Sequence, residues 1–187
     1  MPPSSSLRER KKEQTRRSLH TAAVRLFLER GYNNVTVADV AEAAETSVTT
    51  LFTYFPDGKE ALAFAWEEDR AEALTAAVTG RGDVDPITAV ERFIRSRGPF
   101  SPGADRSDPV HRLIGTTPAL REYVRRKWVQ CEQVLCGLLA RELNRPADAS
   151  LRALSRFFLE VPDIASQEQD PPLAVTEIFE NLRRGWS

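Results

Sequence analysis

The chain has 187 residues, a formal net charge of −1 and 41% hydrophobic residues, which is enough for a real core. No apolar run approaches the roughly 18 residues that a membrane span requires, and no signal-peptide segment follows Met1. We therefore expect a cytoplasmic protein in which a small N-terminal module precedes a larger body.

The charges are distributed unevenly, and this matters more than their sum. The first positions are strongly basic, and the region from about 39 to 72 is acidic. The basic residues near the start are Arg8, Arg10, Lys11, Lys12, Arg16 and Arg17. Because a polyanion responds to the field within about 10 Å, a nearly neutral total does not exclude a nucleic-acid partner. The alternative is a solvated basic tail.

The first predicted element follows a low-complexity start. Residues 1–12 are expected to form a disordered basic arm. A helix is predicted over 13–30, because Leu19, Ala22, Ala23, Leu26 and Phe27 recur at intervals of three and four. Gly31 is expected to end this helix.

Two short helices are predicted next. Thr36 and Asp39 form a capping-box pattern for the second helix, and Ser47 is a good N-cap for the third. Leu51 and Phe55 are expected to face the core, and Pro56 stops the helix. A basic amphipathic helix followed by two short helices is the order of a helix-turn-helix, so residues 13–60 are predicted to be a DNA-binding domain.

The rest of the chain, residues 61–187, is predicted to be a second helical domain. Asp57, with Glu60 three places later, is expected to cap a long fourth helix that ends at Gly80. Four acceptor–proline pairs then indicate helix starts at Pro86, Pro109, Pro118 and Pro171. The later helices are predicted over 86–97, 109–115, 118–143, 147–161 and 171–184, which makes an all-α fold of about nine helices with no convincing strand.

The sequence shows no cluster of residues typical of a metal site or a catalytic centre. Cys131 and Cys136 are five positions apart on a helix, which separates them by about 140°, so we expect core thiols rather than a bridge. His20 and His111 have no ligand partners at metal-binding spacing. No metal, no cofactor and no catalytic residues are expected, and an enzyme is the weakest interpretation.

The N-terminal third contains a series of short segments that form a known pattern: Ala22-Ala23, Leu26-Phe27, Gly31-Tyr32, Thr36-Val37, Val40-Ala41, Ser47, Leu51-Phe52-Thr53-Tyr54-Phe55-Pro56 and Lys59-Glu60-Ala61-Leu62. This pattern resembles the TetR family of transcriptional repressors. The resemblance covers about residues 13–65; beyond it only the number and order of helices match. The segments Gly115–Arg121 and Ile178–Trp186 resemble some actinobacterial members more weakly.

Two positions depart from the family pattern. Glu45 stands where the turn between the second and third helices usually has Gly, and a left-handed conformation there would cost on the order of 1 kcal/mol. One residue more than usual separates Phe55 from Lys59, which affects the reach of the lysine.

The resemblance implies phosphate contacts from Thr36, Tyr54 and Lys59, with less specific contacts from the N-terminal basic run, including Arg16 and Arg17. Base reading is expected from the start of the third helix, at Ser47, Val48, Thr49, Thr50 and Thr53. This set contains none of the residues that read guanine or adenine bidentately, but its methyl groups suit thymine. We therefore expect modest discrimination at each base pair.

For the C-terminal helices, the resemblance implies a small-molecule cavity beside the predicted 118–143 helix. Its candidate lining is aromatic: Phe93, Phe100, Tyr123, Trp128 and Phe157. Ordinary core packing is the alternative for each. The resemblance also implies that the last two helices pair with their copies in a homodimer, and that ligand binding pivots the fourth helix and changes the spacing of the recognition helices.

The expected function is a ligand-responsive regulator, with repression as the first expectation, that binds a palindromic DNA operator as a homodimer and releases it when a small-molecule effector binds. The alternative is a helical small-molecule-binding or interaction protein with weak or lost DNA binding. Glu45 and the base-reading set without long polar side chains favour that alternative.

Overall fold

The computed structural model describes residues 7–64, 69–101, 103–105 and 108–185. Within these ranges the chain forms α-helices and short 3₁₀ segments and no strand, which confirms the all-α prediction. Across the same ranges, no helix has both the length and the apolar character needed to cross a membrane.

The α-helices in chain order are α1 (Leu7–Arg30), α2 (Val37–Ala43), α3 (Val48–Tyr54), α4 (Arg70–Thr79), α5 (Pro86–Arg95), α6 (Pro109–Thr116), α7 (Pro118–Val129), α8 (Glu132–Glu142), α9 (Ala149–Ala165) and α10 (Pro171–Gly185). Three 3₁₀ segments cover Tyr32–Asn34, Glu60–Ala63 and Gly98–Phe100.

The helices belong to two compact units. The first unit comprises the described residues of Met1–Glu67 together with Arg112–Leu120. The second comprises those of Glu68–His111 together with Arg121–Ser187. The sequence placed every residue after 60 in one domain, whereas the structure groups a short stretch of α6 and α7 with the first unit.

In the first unit, α1 packs against α2 and against both neighbouring 3₁₀ segments. The apolar positions that predicted α1 are the buried ones: Leu19, Ala22, Ala23, Leu26 and Phe27. Leu51 of α3 is fully buried as well. This core supports the two short helices, which could not be stable alone at seven residues each.

The first helix begins earlier than predicted. α1 starts at Leu7, so residues 7–12 are helical rather than part of a disordered arm. The physical reason is local, because leucine, arginine, glutamate, lysine and glutamine are all strong helix formers. Residues 1–6 lie outside the described ranges.

The predicted long fourth helix is wrong at its start. Asp57 does not cap a helix; Gly58 follows it with φ of 85° and closes a turn onto Phe55, and a 3₁₀ segment then covers Glu60–Ala63. Helix α4 begins only at Arg70, where the carboxylate of Asp69 accepts from the backbone N–H of Glu72. The same Asp-x-x-Glu spacing begins at Asp57 and at Asp69. Because Gly58 has a left-handed conformation, the segment that follows Asp57 does not begin an α-helix.

The second unit is a bundle in which α8 packs between α4 and α9, and α10 packs against α9 and α5. The rings of Phe158 and Phe179 stack at its centre, 5.2 Å apart and nearly parallel. Both are almost fully buried. Cys131 and Cys136 are buried free thiols in the same core, and burial raises the pKa of Cys131.

The acceptor–proline signals are confirmed. Helices α5, α6, α7 and α10 begin at Pro86, Pro109, Pro118 and Pro171, as predicted. At α5 the Asp85 carboxylate accepts from the N–H of Thr88 at 2.9 Å, the cap that the pattern requires.

Two of the remaining helices differ from the prediction by more than two residues. The predicted 118–143 helix is interrupted and forms two helices, α7 and α8. At the interruption, the N–H of Cys131 donates to the carbonyl of Trp128, three positions earlier, while the Cys131 thiol contacts the carbonyl of Lys127. The predicted 147–161 helix continues through Pro162 to Ala165. Val161 and Ala165 are both fully buried, so packing on either side of the proline holds the helix despite the missing N–H.

Candidate nucleic-acid interface and apolar pocket

The turn between α2 and α3 has the strained conformation that the sequence suggested. Glu45 is exposed and has φ of 52°, in the left-handed region. The turn is closed by hydrogen bonds from the Glu45 N–H to the Glu42 carbonyl and from the Thr46 N–H to the Ala41 carbonyl, at 3.0 and 2.9 Å. These bonds fix the direction of α3 relative to α2. They require Glu45 to adopt a left-handed conformation that favours glycine.

Helix α3 has one buried side and one open side. Leu51 is fully buried, and Phe55 just beyond the helix is 1% exposed. The exposed residues form a continuous surface that we call the recognition face: Ser47, Val48, Thr49, Phe52 and Thr53. A short helix anchored on one side and open on the other has the shape that enters a major groove.

The hydroxyl groups of the recognition face differ in their availability. The Ser47 hydroxyl caps α3 by accepting from the N–H of Thr50 at 3.0 Å, and the Thr53 hydroxyl donates to the Thr49 carbonyl at 3.0 Å. The Thr49 hydroxyl makes no hydrogen bond to the part of the chain that the structure describes. Thr50 is partly covered and shares a 2.9 Å contact with Ser47, so Thr49 is the hydroxyl most available to a base.

At the start of α2, Thr36 and Asp39 form the predicted capping box. The N–H of Thr36 donates to the Asp39 carboxylate at 2.7 Å, and the Asp39 N–H donates to the Thr36 hydroxyl at 3.2 Å. The Thr36 hydroxyl also donates to that carboxylate, and these bonds lower the pKa of Asp39. A phosphate contact at Thr36 therefore requires its hydroxyl to turn away from Asp39.

The two arginines predicted to contact DNA lie in different environments on α1. The Arg16 guanidinium lies 5.0 Å from the centroid of the Phe55 ring and is half-buried. Arg17 is exposed and pairs with Glu13 at 3.0 Å. Tyr54, at the end of α3, is partly exposed. Of the two arginines, Arg17 offers the more accessible charge.

Lys59 lies against the first unit rather than extending into solvent. Its ammonium donates to the Tyr32 carbonyl and lies 4.0 Å from the centroid of the Tyr32 ring. Desolvation lowers the pKa of Lys59, and burial together with Glu60 raises the pKa of Tyr32, whose hydroxyl donates to Glu60 at 3.0 Å. Lys59, which follows the extra residue, therefore contributes to packing within the first unit. The contact of Lys59 with a DNA phosphate stays a prediction.

An apolar pocket lies within the second unit. Its walls are built by residues of α4, α5, α7 and α9 and of the 3₁₀ segment Gly98–Phe100, and its cavity volume is about 40 Å³. The aromatic lining is Phe93, Phe100, Trp128 and Phe158, and the aliphatic lining is Leu74, Val90, Ile94, Leu159 and Pro162. Of the described lining residues, Arg97 alone is charged.

Comparison with known proteins places this geometry in a family. The sequence profile described as "Bacterial regulatory proteins, tetR family" matches residues 19–66, which include α2, the turn and α3. The HTH-type transcriptional regulator TcmR of Streptomyces glaucescens is 34% identical over 177 residues, which cover 89% of this chain and 78% of TcmR.

The chain belongs to the TetR family.

Solved structures agree on the fold of this TetR-family regulator. NalD of Pseudomonas aeruginosa, the secondary repressor of the MexAB-OprM multidrug efflux pump, matches with a TM-score of 0.60 and 22% identity, over 93% of this chain and 97% of NalD. The TetR family repressor AlkX of Dietzia sp. matches with a TM-score of 0.50 and 21% identity, over 89% of this chain and 94% of AlkX. The relatives of the present chain are DNA-binding transcriptional regulators, and the chain itself is a regulator rather than an enzyme.

Sequence reasoning overlooked Phe52 as a residue of the recognition face. Phe52 is 44% exposed and lies one turn after Val48, itself 38% exposed, on the same side of α3. The signal was present in the sequence, because Leu51 and Phe55 occupy the buried side and leave no room there for Phe52. The two exposed apolar side chains make the recognition face more apolar than its threonines suggest.

The five aromatic residues predicted to line a ligand site do not all lie together. Phe93, Phe100 and Trp128 line the pocket. Tyr123 is buried elsewhere in the second unit, near Lys127, and Phe157 is 37% exposed. The neighbouring Phe158 lines the pocket instead, because the helical rotation of α9 places position 158, not 157, toward the core.

Proposed function

We propose that this TetR-family regulator is a cytoplasmic repressor that binds a palindromic operator as a homodimer and releases it when a small molecule enters the apolar pocket. The recognition face carries the proposal. Its exposed residues stand on a helix that is anchored by Leu51 and capped by Ser47, so that the helix can enter a groove without losing core contacts.

Base recognition on this face depends on small and apolar groups. Val48, Thr49 and Phe52 offer methyl groups, a ring and one available hydroxyl, which favours contacts with thymine methyl groups over bidentate reading of purines. Such contacts discriminate modestly, so affinity must be supplemented by phosphate contacts from α1 and by a second half-site.

Exposed apolar residues on the last two helices support the homodimer. Phe157 and Ile164 lie two turns apart on α9 and are 37% and 42% exposed, and Leu173 at the start of α10 is 53% exposed. Pairing α9 and α10 with their copies would bury these side chains in a four-helix interface. A homodimer also supplies the two recognition helices that a palindrome needs, spaced by about 34 Å or a multiple of it.

The effector is proposed to act through α4. Leu74 of α4 lines the pocket, and α4 is the first helix of the second unit after the helix-turn-helix. A ligand that displaces Leu74 therefore biases the helix that follows the DNA-binding segment in the chain. A coupling of about 1–3 kcal/mol between ligand and operator is sufficient for a useful switch.

Selection of binding sites from a random oligonucleotide pool with the full chain tests the proposal. We expect a palindrome to be recovered, and fluorescence anisotropy on that duplex should show an affinity that falls steeply with salt. Recovery of no sequence, together with salt-independent or absent binding, would favour a helical small-molecule-binding protein without DNA-binding function.

Sedimentation of matched variants tests the homodimer. Ile164→Glu adds a charge to the exposed apolar side of α9 and should yield monomers with weak operator binding. Leu28→Glu changes an equally exposed residue on α1 and should leave the dimer intact. A monomeric wild type, or equal effects of the two changes, would contradict the proposed interface.

A further inference from the structure

Two apolar side chains are exposed on the recognition face, one helical turn apart. Val48 is 38% exposed and Phe52 is 44% exposed, at positions i and i+4 of α3. Leu51 and Phe55 fill the core side of the helix and are at most 1% exposed, so the pair stays on the open side. Exposed apolar groups gain when a partner's apolar groups cover them, which suits this pair to an apolar contact rather than to a phosphate.

The hydroxyl groups beside this pair supply little polar recognition. The Ser47 hydroxyl accepts from the N–H of Thr50, and the Thr53 hydroxyl donates to the carbonyl of its own helix four positions earlier. The Thr49 hydroxyl is the one most available to a base. A hydroxyl both donates and accepts, so it can meet the O4 acceptor of thymine as well as the N4 donor of cytosine. Thr49 therefore does not distinguish the two pyrimidines.

The major groove offers such an apolar pair one suitable group. In unmodified DNA the 5-methyl group of thymine is the protruding apolar group of the base edges, and the remaining readable groups are hydrogen-bond donors and acceptors. The modified base 5-methylcytosine carries a methyl group on the same ring carbon. Val48 is β-branched and strongly prefers one rotamer in a helix, and the ring of Phe52 has only two side-chain torsions. The pair therefore loses little conformational freedom when it covers a methyl group.

We infer that Val48 and Phe52 form a reader of pyrimidine 5-methyl groups, which covers the methyl group whether thymine or 5-methylcytosine carries it. Duplex DNA is the partner because α3 lies within residues 19–66, which match the TetR family profile. The inference rests on the proposed function and specifies the chemical group on DNA that the recognition face contacts. Since Thr49 accommodates either base, the methyl group decides the preference, and methylation of a cytosine at that position raises operator affinity.

Fluorescence anisotropy with the full chain tests the inference on four versions of the duplex recovered by site selection. They carry T·A, U·A, C·G or 5-methylcytosine·G in both half-sites, at the thymine that is most sensitive to replacement by uracil. Burying one methyl group changes affinity about fourfold, so loss of the methyl group from both half-sites should weaken binding about fifteenfold. We expect this ratio for T·A over U·A, and the same ratio for 5-methylcytosine·G over C·G, because each comparison changes a methyl group alone.

Matched variants assign the methyl preference to the pair. Val48→Ala and Phe52→Ala should each reduce both ratios, and the double variant should bring both ratios close to one. Leu28→Ala truncates an apolar side chain of α1 that is 45% exposed, almost the same fraction as Phe52, and should leave both ratios unchanged. Because Val48 and Phe52 are exposed, the melting curves of their variants should stay close to that of the wild type.

The outcomes separate this inference from the proposed function. A recovered half-site without thymine, or equal affinity for T·A and U·A at each of its thymines, overturns the inference while operator binding stands. Equal affinity for 5-methylcytosine·G and C·G, or unchanged ratios in the folded double variant, also overturns it. Recovery of a sequence that is not a palindrome, with the methyl preference intact, supports the inference but contradicts the homodimeric repressor. Absence of binding to every duplex overturns both.

Discussion

The recognition face lies on a single seven-residue helix whose one fully buried side chain is Leu51, whereas the pocket is lined by residues from four helices and a 3₁₀ segment. On α3, Leu51 holds the fold and Val48, Thr49 and Phe52 are proposed to contact DNA, while Ser47, which caps the helix, belongs to both groups. In the pocket, Phe158 and Leu74 do both. Changes on the recognition face should therefore separate function from stability, and changes in the pocket should affect both together.

The largest effect is expected at Phe158. Phe158→Ala removes a ring that is 1% exposed, stacks on Phe179 and lines the pocket. Because it leaves a cavity, we expect a loss of about 3–5 kcal/mol in the free energy of unfolding together with altered ligand binding. Urea denaturation and ligand titration measure the two. Loss of ligand binding with stability unchanged would show that the pocket is independent of the core.

Two adjacent residues on α3 give the sharpest test of whether stability and operator binding can be changed separately. Leu51→Ala should cost about 2–5 kcal/mol, because Leu51 is fully buried. Phe52→Ala should change stability by only about 0.5 kcal/mol, because its ring is 44% exposed, while weakening operator binding. Thermal unfolding and anisotropy on the selected duplex compare the pair. Full operator affinity in Phe52→Ala would remove Phe52 from the recognition face.

A second pair on the same helix separates capping from base reading. Ser47→Ala should cost about 1 kcal/mol, because the N–H of Thr50 loses its acceptor. Thr49→Ala should leave stability within about 0.5 kcal/mol and relax sequence preference, with little change in the salt dependence of binding. Equal losses of Thr49→Ala on the selected duplex and on random DNA would show that Thr49 does not read bases.

Two nearby glutamates, Glu45 in the turn after α2 and Glu42 within α2, should give smaller effects of opposite sign on the free energy of unfolding. Glu45→Gly should raise the free energy of unfolding by about 0.5–1 kcal/mol, because Glu45 has a left-handed φ of 52°. Glu42→Gly, within α2, should lower it by about 1 kcal/mol. Both changes remove one negative charge, so urea denaturation of the two distinguishes backbone strain from charge. A destabilised Glu45→Gly would contradict strain in this turn.

The smallest effect concerns the acid limit of the first unit. Hydrogen bonds from Thr36 lower the pKa of Asp39 from its ordinary value of 3.8. The stability that this carboxylate contributes is complete above that ordinary value and disappears as pH falls through the lowered folded-state pKa. Thr36→Val should shift the pKa of Asp39 back upward, as measured by NMR titration of the side chain. An unchanged titration would mean that the capping box does not set this pKa.

Local signals were sufficient where a helix depends on its own first turn. Thr36, Ser47 and Asp85 each cap the helix that the sequence assigned to them. The buried residues of α1 and α3 also followed from spacing alone. These features involve groups only a few positions apart, so the tertiary environment has little opportunity to override them.

Signals of the same local kind were insufficient in the segment that follows α3. Asp57 and Asp69 precede identical Asp-x-x-Glu patterns, yet only Asp69 caps a helix, because Gly58 turns the chain after Asp57. Lys59 packs on the Tyr32 ring, which its position in the sequence did not indicate, and its phosphate contact stays a prediction. The first difference comes from a neighbouring glycine, whereas the packing of Lys59 on Tyr32 joins residues 27 positions apart.

The amino-acid sequence by itself determined the all-α class, the TetR-family helix-turn-helix and the starts of its two short helices. Only the tertiary structure decided that Phe158 rather than Phe157 lines the pocket, that α9 continues through Pro162, and that the Arg97 guanidinium lies beside the Phe93 ring. Periodicity identifies the apolar side of one helix, whereas a pocket depends on how several helices pack, and that packing is set by burial and shape across distant parts of the chain.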